Sequence, residues 1–280
     1  MSIKTKSTLL AVAKVIFLVF IFSFLLFPIY WVIATSLKTN LEAYSFPPTL
    51  WPDDLTFQSY INLFTVNNDF FTYYKNNFIV AGCASILVCF IAIFAGYALS
   101  RIKIKWNKWV IATLVFSQMF PVVSRLISLY GLMNTFGLLN THVGLILAVT
   151  ATQIPFSITL MASFFDNVPK ALEEAAYIDG AGRVRTLFQV VAPLVLPGLL
   201  AVGLYSFLMT WDDYLHAVTL IQSTDMWTLS QGISYRYLGD VSDWSLVNSI
   251  SVVSTLPMVF IFFFFQKYMV SGLTQGAVKG

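Results

Sequence analysis

Charge is what this chain has least of. Only 10% of its 280 residues are Asp, Glu, Lys or Arg, where a soluble domain carries roughly a quarter. With 58% hydrophobic residues and a mean hydropathy of +0.78, that scarcity excludes a water-soluble fold and marks an integral membrane protein. Cysteine and histidine are sparse too, with two of each. Cys83 and Cys89 lie six positions apart in one apolar run, on different faces of a helix, and read as small apolar side chains rather than a disulfide or metal pair. His142 and His216 have no companion at ligand spacing, so no metal site is expected. No glycine opens a phosphate-binding G-x-x-x-x-G-K-[S/T] loop, and Gly-Lys does not occur at all. No nucleophile–base set is recognisable either, so the chain is not expected to be an enzyme.

What is present is long apolar segments. A bilayer-spanning helix needs about 20 such residues, and six segments qualify, at roughly 11–37, 77–100, 109–131, 143–165, 193–211 and 247–268. The fold class expected is all-α integral membrane, one membrane domain over 1–280 with six transmembrane helices. The first apolar run is too long for the core of a cleaved signal and lacks a small-x-small site after it. An inside N-terminus puts Lys4, Lys6, Lys14, Arg101, Lys103, Lys105, Lys108, Lys170, Arg183, Arg185, Lys267 and Lys279 on the inner side. Only Lys38, Lys75 and Arg236 then lie outside, and twelve against three predicts that both termini are cytoplasmic. The net charge of +3 is thus an orientation signal, with no nucleic-acid partner implied. Lipid is the surrounding medium.

The outer loops differ in character. Residues 38–75 hold Pro47, Pro48 and Pro52, which forbid one continuous helix, and aromatic Trp51, Phe57 and Tyr60, which suit a membrane interface. Asn134–Thr141 is a short hairpin. Residues 212–246 carry five aspartates and a single arginine.

The inner segment 166–192 stands out because three carboxylates fall in "ALEEAAYIDGAG" at Ala171–Gly182. Asp166 or Asn167 is placed to cap a helix and Pro169 to occupy its first turn. Glu173 and Glu174 suit the positive end of its dipole. Gly180 is placed to end the helix, with Gly182 close behind in the turn. Val184, Leu187, Phe188 and Val191 recur at i, i+3, i+4, i+7, predicting a second, amphipathic helix. Pro193 and Pro197 then mark the start of the fifth span.

Glu174-Ala175-Ala176, three residues, Gly180, nine residues, then Val190 and Pro193 resembles the EAA motif of ABC importer permeases, EAA-x3-G-x9-I-x-L-P. Val190 stands for Ile and Ala192 for Leu, both still apolar. The end "GLTQGAVKG" (Gly272–Gly280), "WDDYL" (Trp211–Leu215), "PIYWVIATSLK" (Pro28–Lys38) and "GLLNTHVGLIL" (Gly137–Leu147) are also similar to carbohydrate-importer permeases related to the second membrane subunit of the maltose transporter. The resemblance implies the ABC importer permease fold, with a cytoplasmic coupling helix between helices 4 and 5. It implies that Glu173, Glu174, Ala175, Ala176, Asp179, Gly180 and Gly182 meet a cytoplasmic ATPase dimer. The tail 269–280, through Gly272, Leu273, Thr274 and Gln275, would support that docking. ATP and magnesium would be bound by the ATPase, with no cofactor on this chain. A second homologous permease and an extracytoplasmic solute-binding protein complete the partners expected in a bacterial or archaeal cytoplasmic membrane.

For the cargo, Arg125 is the one charged residue placed well inside a span, away from its ends, and such residues face a cavity or partner. With Ser128, Tyr130 and Asn134 it forms a candidate pathway for a sugar or oligosaccharide. The same architecture importing glycerol phosphate, a glycerophosphodiester or a uronic-acid oligomer is the alternative reading. A proton-coupled secondary carrier is disfavoured because no Asp or Glu falls inside any expected span.

Overall fold

The computed structural model describes residues 3–66, 68–102, 105–238 and 243–277. Among these residues every regular element is helical. In chain order they are α1 (Ile3–Ser36), α2 (Asn40–Ala43), α3 (Gln58–Thr65), α4 (Asn68–Arg101), α5 (Asn107–Gln118), α6 (Val122–Thr135), α7 (His142–Asp166), α8 (Lys170–Ile178), α9 (Arg183–Thr186), α10 (Ala192–Trp211), α11 (Leu215–Leu220), α12 (Leu229–Gly232) and α13 (Trp244–Ala277). Five stretches are long and apolar enough to cross a bilayer: Ala11–Ser36, Asp69–Arg101, His142–Asp166, Arg183–Trp211 and Trp244–Lys267. The chain is an all-α, multi-pass membrane protein.

The remaining segment expected to span, 109–131, is not one straight helix. Its two halves, α5 and α6, meet at 101°. The cause is local. Pro121 has no N–H to donate and disfavours the α conformation in the residue before it, so α5 stops and Pro121 (φ −55°, ψ 137°) starts α6 instead. A second difference concerns the amphipathic helix expected over 184–191. It is the leading end of the fifth span, joined to α10 through a π-turn at Leu187–Val191. The Ala192 N–H bonds Leu187 O across that wider turn, which re-pairs backbone groups next to Pro193 and keeps the helix going. Leu187 and Val191 are buried, whereas Val184 and Phe188 face outward, so the expected stripe is split between two faces.

Two compact units divide the chain. The first comprises residues 1–70 and 233–256. In it the loop after α1 is ordered by polar contacts. Lys38 is buried, its Nζ donates to Thr49 O at 2.6 Å and lies 5.0 Å from the Trp31 ring centroid. Glu42 Oε1 accepts from Thr49 Oγ1 at 2.6 Å and from the Asp53 N–H at 3.0 Å. Burial alone would raise the Glu42 pKa, but those hydrogen bonds and the nearby Lys38 charge outweigh it and hold the carboxyl below its usual range. Ser249 Oγ donates to Ser36 O at 3.3 Å, tying α13 to α1.

The second unit comprises residues 71–232 and 257–280, and α4, α7 and α10 form its centre. One apolar cluster joins Val88 and Ala92 of α4 to Met161, Phe164 and Phe165 of α7 and to Val195 and Val202 of α10. Another joins Val80 and Ala84 to Leu145, Ala148 and Val149 of α7 and to Leu220 of α11. Helix α7 begins with Thr141 as N-cap, its hydroxyl accepting the Gly144 N–H at 3.0 Å. Between α7 and α10 the core turns polar, with Gln153 Nε2 donating to Thr210 Oγ1 at 2.9 Å.

Candidate functional site

The carboxylate-rich segment folds as α8. Pro169 is its N-cap, without a side-chain capping bond. Asp166 and Asn167, expected to cap it, end α7 instead, and Asp166 Oδ1 accepts from Ser100 Oγ at 2.6 Å. At the far end the Gly180 N–H bonds Tyr177 O at 3.0 Å and the Ala181 N–H bonds Ala176 O at 2.9 Å. Gly180 holds φ at +83°. These are the two bonds and the left-handed residue of a Schellman closure, which glycine adopts without strain. Gly182, by contrast, is the N-cap of α9 at φ −75°, ψ 164°, a conformation open to any residue.

The two adjacent glutamates part company. Glu174 is exposed, as are Ala175, Asp179, Gly180 and Gly182, while Ala176 is half-buried. Glu173 turns inward and is only 4% exposed. Its Oε1 accepts from Arg101 Nε at 2.5 Å and its Oε2 from Tyr97 Oη at 2.7 Å. Arg101 also donates from Nη1 to Ser100 Oγ at 3.0 Å and from Nη2 to Val168 O at 2.8 Å. The expectation that Glu173 faces a partner chain is therefore corrected: its carboxylate is engaged within this chain. The reason is energetic, because a buried carboxylate needs both a counter-charge and hydrogen bonds, and α4 supplies them. Nothing in the local sequence announced this, since Arg101 lies 72 positions away from Glu173.

A cleft of about 390 Å³ opens beside α8, lined by Tyr97, Arg101, Lys170, Glu174, Tyr177 and Arg183, among others. The outward face of α8 is mildly apolar. Ala171 and Ala175 are exposed along it, with Leu172 at 42% and Ile178 at 87% exposure.

The candidate cargo residues all lie on α6. Arg125 sits in the first turn after the bend, and its Nε is buried without a hydrogen-bond partner. At about 100° per residue, Ser128 lies roughly 60° round the helix from Arg125, Tyr130 about 140° and Asn134 about 180°. Only Ser128 shares a face with Arg125, so the structure does not bring the four together. Gly272, Leu273, Thr274 and Gln275 continue the backbone of α13, which runs to Ala277. Residues 278–280 of the tail lie outside the described residues. Among the described residues no group of three or more His, Cys, Asp or Glu side chains is placed to hold a metal ion.

Residues 88–275 match the family described as binding-protein-dependent transport system inner membrane component. The chain belongs to that family. It is 34% identical over 256 residues to the sulfoquinovosyl glycerol transport system permease protein of Agrobacterium fabrum (91% of this chain, 89% of the relative). It is also 34% identical to a diacetylchitobiose uptake system permease protein of Streptomyces coelicolor (90% and 83%). The trehalose/maltose transport system permease protein of Thermococcus litoralis is 32% identical (91% and 92%). The fold is shared with a chain of a bacterial ABC transporter that imports the acidic polysaccharide alginate, at a TM-score of 0.82 and 22% identity, covering 96% of this chain and 98% of that one. This permease is thus a membrane-embedded component of a binding-protein-dependent ABC importer.

Proposed function

We propose that this permease forms half of the pathway for a sugar or oligosaccharide and that α8 is where it receives the work of ATP hydrolysis. The observation that carries the coupling assignment is the division of α8 into two faces. Glu173 fastens the inner face to the chain's own body, while Ala171, Glu174, Ala175 and Ile178 are exposed at i, i+3, i+4, i+7, the spacing of a helix that lies in a groove. Small alanines allow close approach, and Glu174 offers an acceptor to a basic residue of an ATPase subunit. ATP and magnesium are held by that ATPase dimer. The other partners are a second homologous permease and an extracytoplasmic solute-binding protein. The basic residues around the α4–α5 turn and on α8 and α9 support a cytoplasmic position for α8 and both termini. The sugar class is supported by relatives at 31–34% identity whose names specify glycosides and oligosaccharides.

The test is reconstitution of the complete importer in proteoliposomes, with uptake measured for a panel of radiolabelled disaccharides and larger oligosaccharides. Uptake of at least one, dependent on ATP and the binding protein, is expected. In Glu174→Ala the ATPase should co-purify poorly with the permease pair while the binding protein retains its sugar affinity. Wild-type uptake in Glu174→Ala, or transport of only non-carbohydrate solutes, refutes the corresponding half of the proposal.

A further inference from the structure

Docking of α8 explains where force arrives but not how it leaves. Along the backbone α8 continues from α7 through Val168–Pro169 and into α9 through the Gly180 turn, and it packs beside the π-turn at Leu187–Val191. The side chains add a lateral tie to α4. Both oxygens of Glu173 are held by α4 residues one turn apart, Tyr97 and Arg101. Two anchors fix the angle of α8 as well as its distance. The Arg101 guanidinium is itself held in three directions, by Glu173, by Ser100 and by the Val168 carbonyl. The Arg101 and Glu173 side chains are 9% and 6% exposed, so separating them would leave a charge stranded away from water. A displaced α8 carries the end of α4 with it.

Helix α4 is suited to pass such a displacement on. Of the five spanning stretches it alone contains no proline: Pro28, Pro155, Pro197 and Pro257 fall inside the other four. About 36 Å from Arg101, at 1.5 Å per residue, and roughly two turns inside its other end, α4 carries a polar clamp. Asn76 Nδ2 donates to Asp225 O at 2.9 Å and to Trp227 O at 3.0 Å. Asn77 Nδ2 donates to Trp211 O at 3.1 Å, at the end of the fifth span. One unbroken rod therefore joins α8 at one end to the loop after α10 at the other.

We propose that Arg101, Glu173 and Tyr97 form the joint that transmits movement of α8 to α4, and through α4 to the segment 211–227 at the opposite end of the span. This rests on the reading of α8 as the ATPase contact. These three are positioning residues, distinct from the outward residues that would touch the ATPase.

The experiment uses the full importer in proteoliposomes with Arg101→Lys, Glu173→Gln, Tyr97→Phe and the exchange Arg101→Glu/Glu173→Arg. Three quantities are read: ATPase co-purification, ATP hydrolysis stimulated by the sugar-loaded binding protein, and sugar moved per ATP consumed. Expected in Arg101→Lys and Glu173→Gln is retained co-purification with about a tenfold or greater loss of uptake per ATP, within the usual range of intersite coupling. Tyr97→Phe should lose less, and the exchange should recover part of the coupling lost in the single variants. Unchanged sugar-to-ATP ratios in both single variants overturn the joint, as does loss of ATPase co-purification in both, which would make the pair part of the docking surface or the fold. If Glu174→Ala leaves ATPase binding and uptake intact while the joint variants still uncouple, the docking reading fails by itself.

Discussion

Two glycines, Gly180 and Gly182, stand two positions apart after α8, and the structure requires only one of them. The same substitution, glycine to serine, separates their roles. At Gly180 φ is +83° with nothing within 4 Å of an added Cβ, so the penalty is purely one of backbone conformation. Holding an L-residue in the left-handed region costs about 1–2 kcal/mol. At Gly182 an added Cβ also meets open space, and φ −75°, ψ 164° is ordinary N-cap geometry. Serine caps a helix slightly better than glycine, so Gly182→Ser should stabilise the start of α9 by a few tenths of a kcal/mol, on the order of 0.3. The Gly180→Ser penalty, about 1.5 kcal/mol, is roughly a tenfold shift in the balance between a closed and a frayed α8 terminus.

Hydrogen exchange reads that balance directly, because the Gly180 and Ala181 N–H groups donate the closing bonds. In Gly180→Ser, residues 180–181 should exchange about tenfold faster than in the wild type. In Gly182→Ser the rate should be unchanged or slower. Gly180→Asn should fall between them, since asparagine tolerates the left-handed region better than serine. Equal acceleration in Gly180→Ser and Gly182→Ser would refute the conformational argument and return both glycines to the shared role that the motif alone suggested.

Close packing between α7 and α10 makes a second prediction. A Cβ at Gly198 would lie within 2.7 Å of three ring carbons of Phe164, against a normal separation of about 3.5–4.0 Å. Gly198→Ala should therefore destabilise the purified complex by about 1–3 kcal/mol. Its Tm should drop and partly recover when Phe164→Leu is added; an unchanged Tm in the single variant contradicts the close approach. In the loop after α1, Glu42 ionises more readily folded than unfolded, so its support is present above the ordinary carboxylate range and is lost as pH falls through the depressed folded value. Trp51 fluorescence should report the loosening on acidification in the wild type. Glu42→Gln should show the loosened signal throughout and no such transition, and an identical acid transition in both proteins would exclude Glu42 as its source.

Much of the fold was legible because bilayers impose it. Apolar length marked the spans, and the Gly180 turn had a local signature that the backbone obeys. What escaped the sequence was set by contacts or by averaging. An apolar window over 109–131 absorbs Pro121 with little change, yet that single residue turns the chain through 101°. The stripe from Val184 to Val191 has the right period for a separate surface helix. Its burial was decided instead by the continuous α9–α10 axis, which takes in Leu187 and Val191 and leaves Val184 and Phe188 outside. Glu173 and Glu174 are alike as letters, and a helix puts neighbouring side chains about 100° apart. Which of them faces inward is decided by where α4 ends, and no spacing within the motif carries that information.

That choice also changes the meaning of Arg101. Counted in the sequence, it is one of twelve basic residues whose only evident role is to fix orientation, and any cation would serve. In the folded chain the charge is consumed by Glu173, and the shape of the group matters as much as its sign. Three separate nitrogens bond three targets in different directions, an arrangement the fork of a guanidinium satisfies with little loss of freedom. A lysine ammonium can carry the charge but sits at the end of a flexible stem and cannot span Ser100, Val168 and Glu173 in that fixed geometry. A lysine in this place would meet the orientation requirement but would not serve as the joint. The membrane topology and the mechanical tie are thus separable demands on one residue, and Arg101→Lys preserves the first while removing the second.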